Sequence, residues 1–174
     1  MALKATIFKA ELQVSDLDRG HFATHSLTLA RHPSETDERM MVRLLAFALN
    51  ADEALEFGRG LSAEEEPDLV KRDLTGAIEL WIDVGLPDER DIRKACGRAR
   101  EVKVYVYGAR GASLWWAQNR AALEKQRNLT VAEIDTQHLG ALAERNMRLS
   151  CTIQDGHVYL ESHEIAVDNL LSPP

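Results

Sequence analysis

Polar and apolar residues alternate from Lys4 to Val14, with Ile7, Leu12 and Val14 set among polar neighbours, and the alternation resumes in SLTLA at 26–30. A period of two predicts half-buried strands. The intervening SDLDRGHF, 15–22, has the Asp, Gly and Ser content of a turn, so the chain should open with an antiparallel pair. The period then lengthens. Ser34 is placed to cap a helix with Asp37 answering it three residues on, and the helix should run to about Asn50. Met41, Leu44, Leu45 and Ala48 form a stripe that would face a sheet. Glu38 shares that stripe, which predicts a carboxylate withdrawn from water.

Ala54 to Phe57 reads as a short strand and is followed by an acidic stretch, Glu64 to Asp68. IELWIDV, 78–84, is the clearest central strand, apolar on one face and carrying Glu79, Trp81 and Asp83 on the other. Gly85-Leu86-Pro87-Asp88 breaks it and starts a second helix, to about Arg100, with Ile92, Ala95, Cys96 and Ala99 on one stripe. EVKVYVY, 101–107, is again strand-like, and a strand, helix and strand joined this tightly predict a right-handed crossover between parallel strands. Ser113 should cap a third helix to about Arg127 that buries Trp115, Trp116, Ala122 and Leu123. A strand at Leu129–Ile134, a short helix at His138–Glu144 and a hairpin around Asp155-Gly156 complete the pattern. With no repeat or linker, the expectation is one α/β domain over 1–174, a central mixed sheet flanked by helices.

Composition sharpens this picture. The 174 residues are 45% hydrophobic and 28% charged, enough to bury a core without disulfides or a structural metal. Cys96 and Cys151 have no partner at zinc-ligand spacing and read as reduced thiols. MALKATIFKAELQV has no unbroken apolar run of the kind a signal peptide needs, so a cytoplasmic protein without membrane attachment is expected. The net charge of −7 repels phosphate backbones, which argues against avid, non-specific DNA binding. A local basic groove, or a divalent cation bridging carboxylates to phosphate, remains compatible with that charge.

Candidate chemistry is sparse. No nucleophile triad, Walker loop, dinucleotide fingerprint or HExxH motif is present. His21, His25 and His32 come nearest to a histidine cluster, but their spacing matches no known ligand pattern. Two acids stand out by position: Glu38 on the helix stripe, and Asp83 near the C-terminal end of a strand, where open sheets bind ligands. Each needs an arginine, a backbone donor or a metal; Arg31, Arg39 and Arg59 are candidate ion-pair partners. Glu79 and Asp83 lie roughly 13 Å apart along their strand, too far to clasp one ion.

The segments ARHPSETDERMMVRLLAF (30–47) and ELWIDVGLPDERDIRKAC (79–96), with the opening MALKATIFKAE and the closing TIQDGHVYL, closely resemble the YaeQ family of bacterial proteins over essentially the whole chain. The resemblance implies a fold similar to the PD-(D/E)XK nucleases, or restriction-endonuclease-like proteins: a helix, three strands, a helix and a strand, here with extra N- and C-terminal strands. It also implies magnesium held by Asp68 of Pro67-Asp68, by Asp83 of Asp83-Val84-Gly85 and by Glu38, with Asp83 and Glu38 weighted above Asp68. The motif lysine should fall at Gly85. Lys94 and Lys103 are the candidate replacements, although the periodicity turns Lys94 away from its helix's apolar stripe and makes Lys103 solvent-facing.

Two functions follow as expectations. One is a magnesium-dependent nuclease that activates water at Glu38, Asp68 and Asp83, with Lys94 or Lys103 stabilising charge. The other is a non-catalytic regulatory module that binds nucleic acid or a protein partner. A further route to protein recognition is through Trp115, Trp116, Tyr105 or Tyr107, if these are exposed rather than part of the core.

Overall fold

A computed structural model describes residues 4–58 and 66–174. The chain opens with a long hairpin, β1 (Thr6–Asp16) and β2 (His21–Arg31), paired without interruption from Thr6 opposite Arg31 to Asp16 opposite His21. Helix α1 (Asp37–Leu49) follows, then β3 (Leu55–Phe57), β4 (Leu69–Arg72), β5 (Ile78–Val84), α2 (Glu89–Arg98), β6 (Ala99–Val106), α3 (Arg110–Leu123) and β7 (Leu129–Ile134). The remainder is β8 (Asn146–Gln154), β9 (His157–Leu160), β10 (His163–Ile165) and β11 (Val167–Leu171).

These strands form two mixed sheets rather than one. The first has the order β10-β9-β8-β1-β2, with β8 parallel to β1; the second has the order β11-β7-β6-β5-β4-β3. In the second sheet β5, β6 and β7 are parallel, as the short βαβ spacing predicts, while β3 and β4 pair antiparallel on one side and β11 on the other.

Helix α1 lies between the sheets, and this explains why it buries far more than the predicted stripe. Met40, Val42, Ala46 and Phe47 are buried together with Met41, Leu44, Leu45 and Ala48. A helix that is apolar all round must be covered on both sides. Its neighbours are Leu12, Val14 and Leu29 of the first sheet and Leu69, Ile82 and Val84 of the second. The opposite face of the second sheet forms a separate core in which Trp81, Val102 and Val104 meet Ile92 of α2 and Trp115 of α3.

Several local expectations shift. The inner face of β1 is Phe8, Ala10, Leu12 and Val14, whereas Ile7 points outward, because the strand alternates on even numbers. The cap of α1 is Thr36, whose hydroxyl accepts from the Arg39 amide, so Ser34 lies outside the helix. Helix α3 begins at Arg110, ahead of Ser113, and ends at Leu123. The helix expected at His138–Glu144 is a single 3-10 turn, Gly140–Leu142, packed against the start of α1: a Cβ on Gly140 would stand 3.7 Å from the Glu38 amide nitrogen. The Asp155-Gly156 turn is as predicted, both residues taking positive φ as a two-residue hairpin turn requires. Trp115 and Tyr105 are buried and Trp116 and Tyr107 half-buried, so these aromatics do not form an exposed recognition face. Cys96 and Cys151 are both free thiols. No described helix is long and apolar enough to cross a membrane.

Candidate functional site

Strand β4 enters the second sheet directly after Asp68, and β5 leaves it at Asp83 and Val84. The antiparallel register, Leu69 opposite Ile82, sets the two aspartates side by side. The Val84 amide donates to Asp68 Oδ2 at 2.9 Å, and the Asp68 amide donates to Asp83 Oδ1 at 3.4 Å. The Trp81 indole, two residues back on the same face of β5, donates to Asp83 Oδ2 at 3.0 Å. Burial and, after it, the charge of Asp68 push the Asp83 carboxyl up to about 7, against the pull of the indole, the Asp68 amide and Arg39. A carboxyl in that range exchanges its proton near neutrality.

Asp68 is held by Arg39 of α1. One Arg39 nitrogen donates to both Asp68 oxygens, at 3.0 and 3.1 Å, and lies 3.4 Å from the Val84 carbonyl oxygen; the other donates to Glu35 Oε2 at 2.7 Å. Glu35 also takes two bonds from Arg43, at 2.7 and 2.9 Å, and Arg43 reaches the Ala30 carbonyl oxygen of β2 at 3.1 Å. Burial works against the charge on Arg39, but Asp68 and Glu35 outweigh it and raise the guanidinium's pKa. Glu35 and Arg43 are fully withdrawn from water. Arg39 is an ion-pair partner as expected, but of Asp68 and Glu35 rather than of Glu38 or Asp83. Arg31 pairs instead with Asp37 at 3.3 Å, and Arg59 lies outside the described residues.

Glu35, Arg39 and Arg43 had not been grouped as a site. Their signal was their spacing, each four residues from the next, so that one face of α1 and the residue before its cap line up. Glu38 is not the buried carboxylate of this region; that residue is Glu35. Glu38 is half-buried in the first turn of α1, where the apolar stripe emerges from between the sheets. It does lie near the aspartates' end of the sheet. Burial pushes up the phenol of Tyr107, which follows β6; Arg39 lowers it, and Glu38, Glu35 and Asp68 raise it.

The two candidate lysines are not brought to Asp83. Lys94 is on the exposed side of α2. Lys103 is not solvent-facing as expected: it stands beside Ile82 in the register, on the α1 face of the sheet, and donates to Asn50 Oδ1 at 2.7 Å. Asp83 stands beside Val104, on the opposite face. Position 85 itself is unsuited to lysine for a backbone reason. Gly85 has φ of 100° while its amide donates to the Tyr105 carbonyl oxygen at 2.9 Å, a conformation that strains any residue with a Cβ.

Among the described residues no three His, Cys, Asp or Glu side chains gather in a metal-holding geometry. The adjacent pair Asp68 and Asp83 nonetheless fits magnesium in donor chemistry, because this ion is commonly held by one or two carboxylates, with waters and substrate phosphate supplying the rest.

A mixed α/β chain with two mixed sheets, and an acidic pair where a parallel strand ends, is the class of protein these observations define. The chain belongs to the YaeQ family: a model described as YaeQ protein matches residues 1–169. It is 53% identical over 163 residues to the uncharacterized protein YaeQ of Escherichia coli strain K12, covering 92% of this chain and 90% of that protein. The crystal structure of YaeQ protein from Xanthomonas axonopodis pv. citri superposes with a TM-score of 0.93 at 53% identity, covering 97% of this chain and 99% of that one. The crystal structure of YaeQ protein from Pseudomonas syringae gives 0.91 at 34% identity, with 97% of each chain covered.

Proposed function

We propose that this protein is a magnesium-dependent phosphodiesterase acting on nucleic acid, with Asp68 and Asp83 as its metal-binding carboxylates. The observation that carries the reading is the adjacency of these two acids, one of them pushed up to about 7 by burial and by the charge of the other. The chain order of α1, β3, β4, β5, α2 and β6 supports a PD-(D/E)XK reading, because it follows the helix, three strands, helix and strand that the resemblance implies, with Pro67-Asp68 and Asp83-Val84-Gly85 as the motif candidates. Asp68 is oriented by the Val84 amide and by Arg39, and Asp83 by the Trp81 indole. Asp68 and Asp83 would hold the ion, which would supply positive charge for a phosphoryl oxygen and lower the pKa of a bound water. Arg39 provides the fixed positive charge that Gly85 lacks, so the basic group comes from the helix instead of the strand. Asp83 can take up or release a proton at its Oδ atoms. With a net charge of −7, a bound cation is also what allows a phosphate backbone to approach.

The second reading is a non-catalytic nucleic-acid- or protein-binding module on the same core. It is favoured by Arg39, which occupies both oxygens of Asp68 where a ligand ion would compete. Calorimetric titration of the wild type and Asp83→Asn with magnesium and manganese separates the two, combined with cleavage assays on single-stranded, double-stranded and branched substrates. The enzyme reading expects metal binding that weakens by about tenfold or more in Asp83→Asn, and metal-dependent cleavage. Absence of metal binding at millimolar concentration sinks it; binding without cleavage leaves the module.

A further inference from the structure

The hairpin places a second polar cluster at the other end of α1. His21 and His25 lie on the inward face of β2 with Ala23 between them, and this small residue leaves room for the two rings to lean together. Their Nε2 atoms are 2.9 Å apart and their planes differ by 12°. The ring centroids are 5.1 Å apart, so the rings meet tip to tip. In this arrangement one ring's Nε2–H donates to the lone pair of the other's Nε2. His25 is braced edge-on by Phe47 of α1, with centroids 5.1 Å apart. Both histidines are half-buried and reachable from solvent.

We propose that His21 and His25 form a binding site for a borderline transition-metal dication of the nickel, copper or zinc class, independent of the acidic pair at Asp68 and Asp83. Neutral imidazole is the ligand form of histidine, and its affinity for such ions exceeds its affinity for magnesium. With metal–nitrogen bonds of about 2.0–2.1 Å, two nitrogens in adjacent coordination positions must stand about 2.9–3.3 Å apart. The pair already has that separation. Each ring has only to pivot so that its Nε2 lone pair meets an ion instead of the neighbouring ring, and the ring that donated through Nε2 takes the Nδ1–H tautomer, so the neutral pair loses no proton.

The surroundings suit a cation. The carboxylate of Asp52 acts electrostatically on both rings, and Glu53 acts on His25. The last turn of α1 ends beside the pair with no basic residue of its own, so its carbonyl dipoles add negative potential. The nearby cations are already engaged: Arg19 donates to the Leu49 and Ala51 carbonyl oxygens, and Lys71 pairs with Asp52 at 2.9 Å and Glu79 at 3.5 Å. Burial and His21 both lower the pKa of His25, in keeping with a ring that stays neutral and available.

The test uses untagged full-length protein with nickel and copper salts. Calorimetry should find one ion bound per chain with micromolar or tighter affinity, weakened at least about tenfold in His21→Ala and in His25→Gln. Electron paramagnetic resonance of the copper-loaded protein should show two imidazole nitrogens in the wild type and one in His21→Ala. The tight nickel site should persist in Asp83→Asn, a change that weakens only the acidic pair, and this separates the two sites. His138 and His163 provide an internal control, since their rings stack face to face with centroids 4.6 Å apart, and His138→Ala should bind like the wild type. No nickel or copper binding, wild-type affinity in both His21 and His25 variants, or loss of binding in His138→Ala overturns the proposal. Should His25→Gln unfold beside Phe47, His21→Ala and the wild-type copper spectrum still decide the outcome.

Discussion

Glu35 is a buried carboxylate and Asp83 a half-buried one, and Arg39 bears on both, yet they are in opposite situations. Glu35 is gripped by two guanidiniums, Arg39 and Arg43, through three short bonds, so its charge is matched more than once. Asp83 receives an indole N–H and a long amide contact and has another carboxylate as its neighbour. Glu35 is the more deeply buried of the two but is surrounded by cations, whereas burial and a neighbouring carboxylate act together on Asp83. A carboxylate matched by arginines locks the start of α1 to β2 and β4. A carboxylate opposed by a second one is left near neutrality, ready for a proton or a cation.

Removing Glu35 should break this contrast most severely. Glu35→Ala leaves Arg43 buried with only the Ala30 carbonyl oxygen, and the loss of one partner from a buried pair costs about 3–5 kcal/mol. Thermal or urea unfolding should reveal a large drop in stability; a change below ~1 kcal/mol would mean that the arginines do not depend on Glu35.

The next effect has the opposite sign. The folded-state pKa of Asp83 is raised from 3.8 to about 7, so between those values the folded protein binds more protons than the unfolded chain. Stability associated with this group is therefore present below pH ~4 and is lost as pH rises towards ~7. Asp83→Asn should be more stable than the wild type at pH 8, by ~2–4 kcal/mol, and nearly equal to it at pH 4. Metal-free unfolding curves at the two pH values check this, and equal stability of the two proteins at both would refute the strained-acid account.

The smallest effect concerns the indole. Trp81→Phe removes the donor to Asp83 Oδ2 and should move the carboxyl pKa further up, as read by carbon-detected NMR titration. A downward movement would show that the indole is not what holds the charged form.

Much of this fold was readable from hydrophobic period. β5, β6 and their connecting helix follow from two strand-like runs joined by Asp88 and an amphipathic decade, and the parallel pairing is a matter of connection length. Two sheets were not readable, because partners such as β1 and β8 are far apart in sequence and period says nothing about who pairs with whom. The same limit explains the site. Asp83 stood out as a charge on a central strand, but the standing of Asp68 beside it depends on the β4–β5 register. Glu35 was missed in favour of Glu38: the cap is Thr36 and not Ser34, so Glu35 precedes the helix, and its burial comes from the tertiary contacts with Arg39 and Arg43 that periodicity does not report. The tip-to-tip contact of His21 and His25 arises from side-chain rotation over Ala23, which spacing alone does not reveal.

The parallel pairing of β1 with β8 has a consequence for how the chain is made. Strand β1 is synthesised long before its partner at Asn146–Gln154. Until then the hairpin of β1 and β2 has one open edge and an apolar inner face of Leu12, Val14 and Leu29. Long-range pairing of this kind slows folding and exposes nascent chains to association. The first sheet can close only once β8 has been synthesised, so the young hairpin persists until then with that edge unpaired.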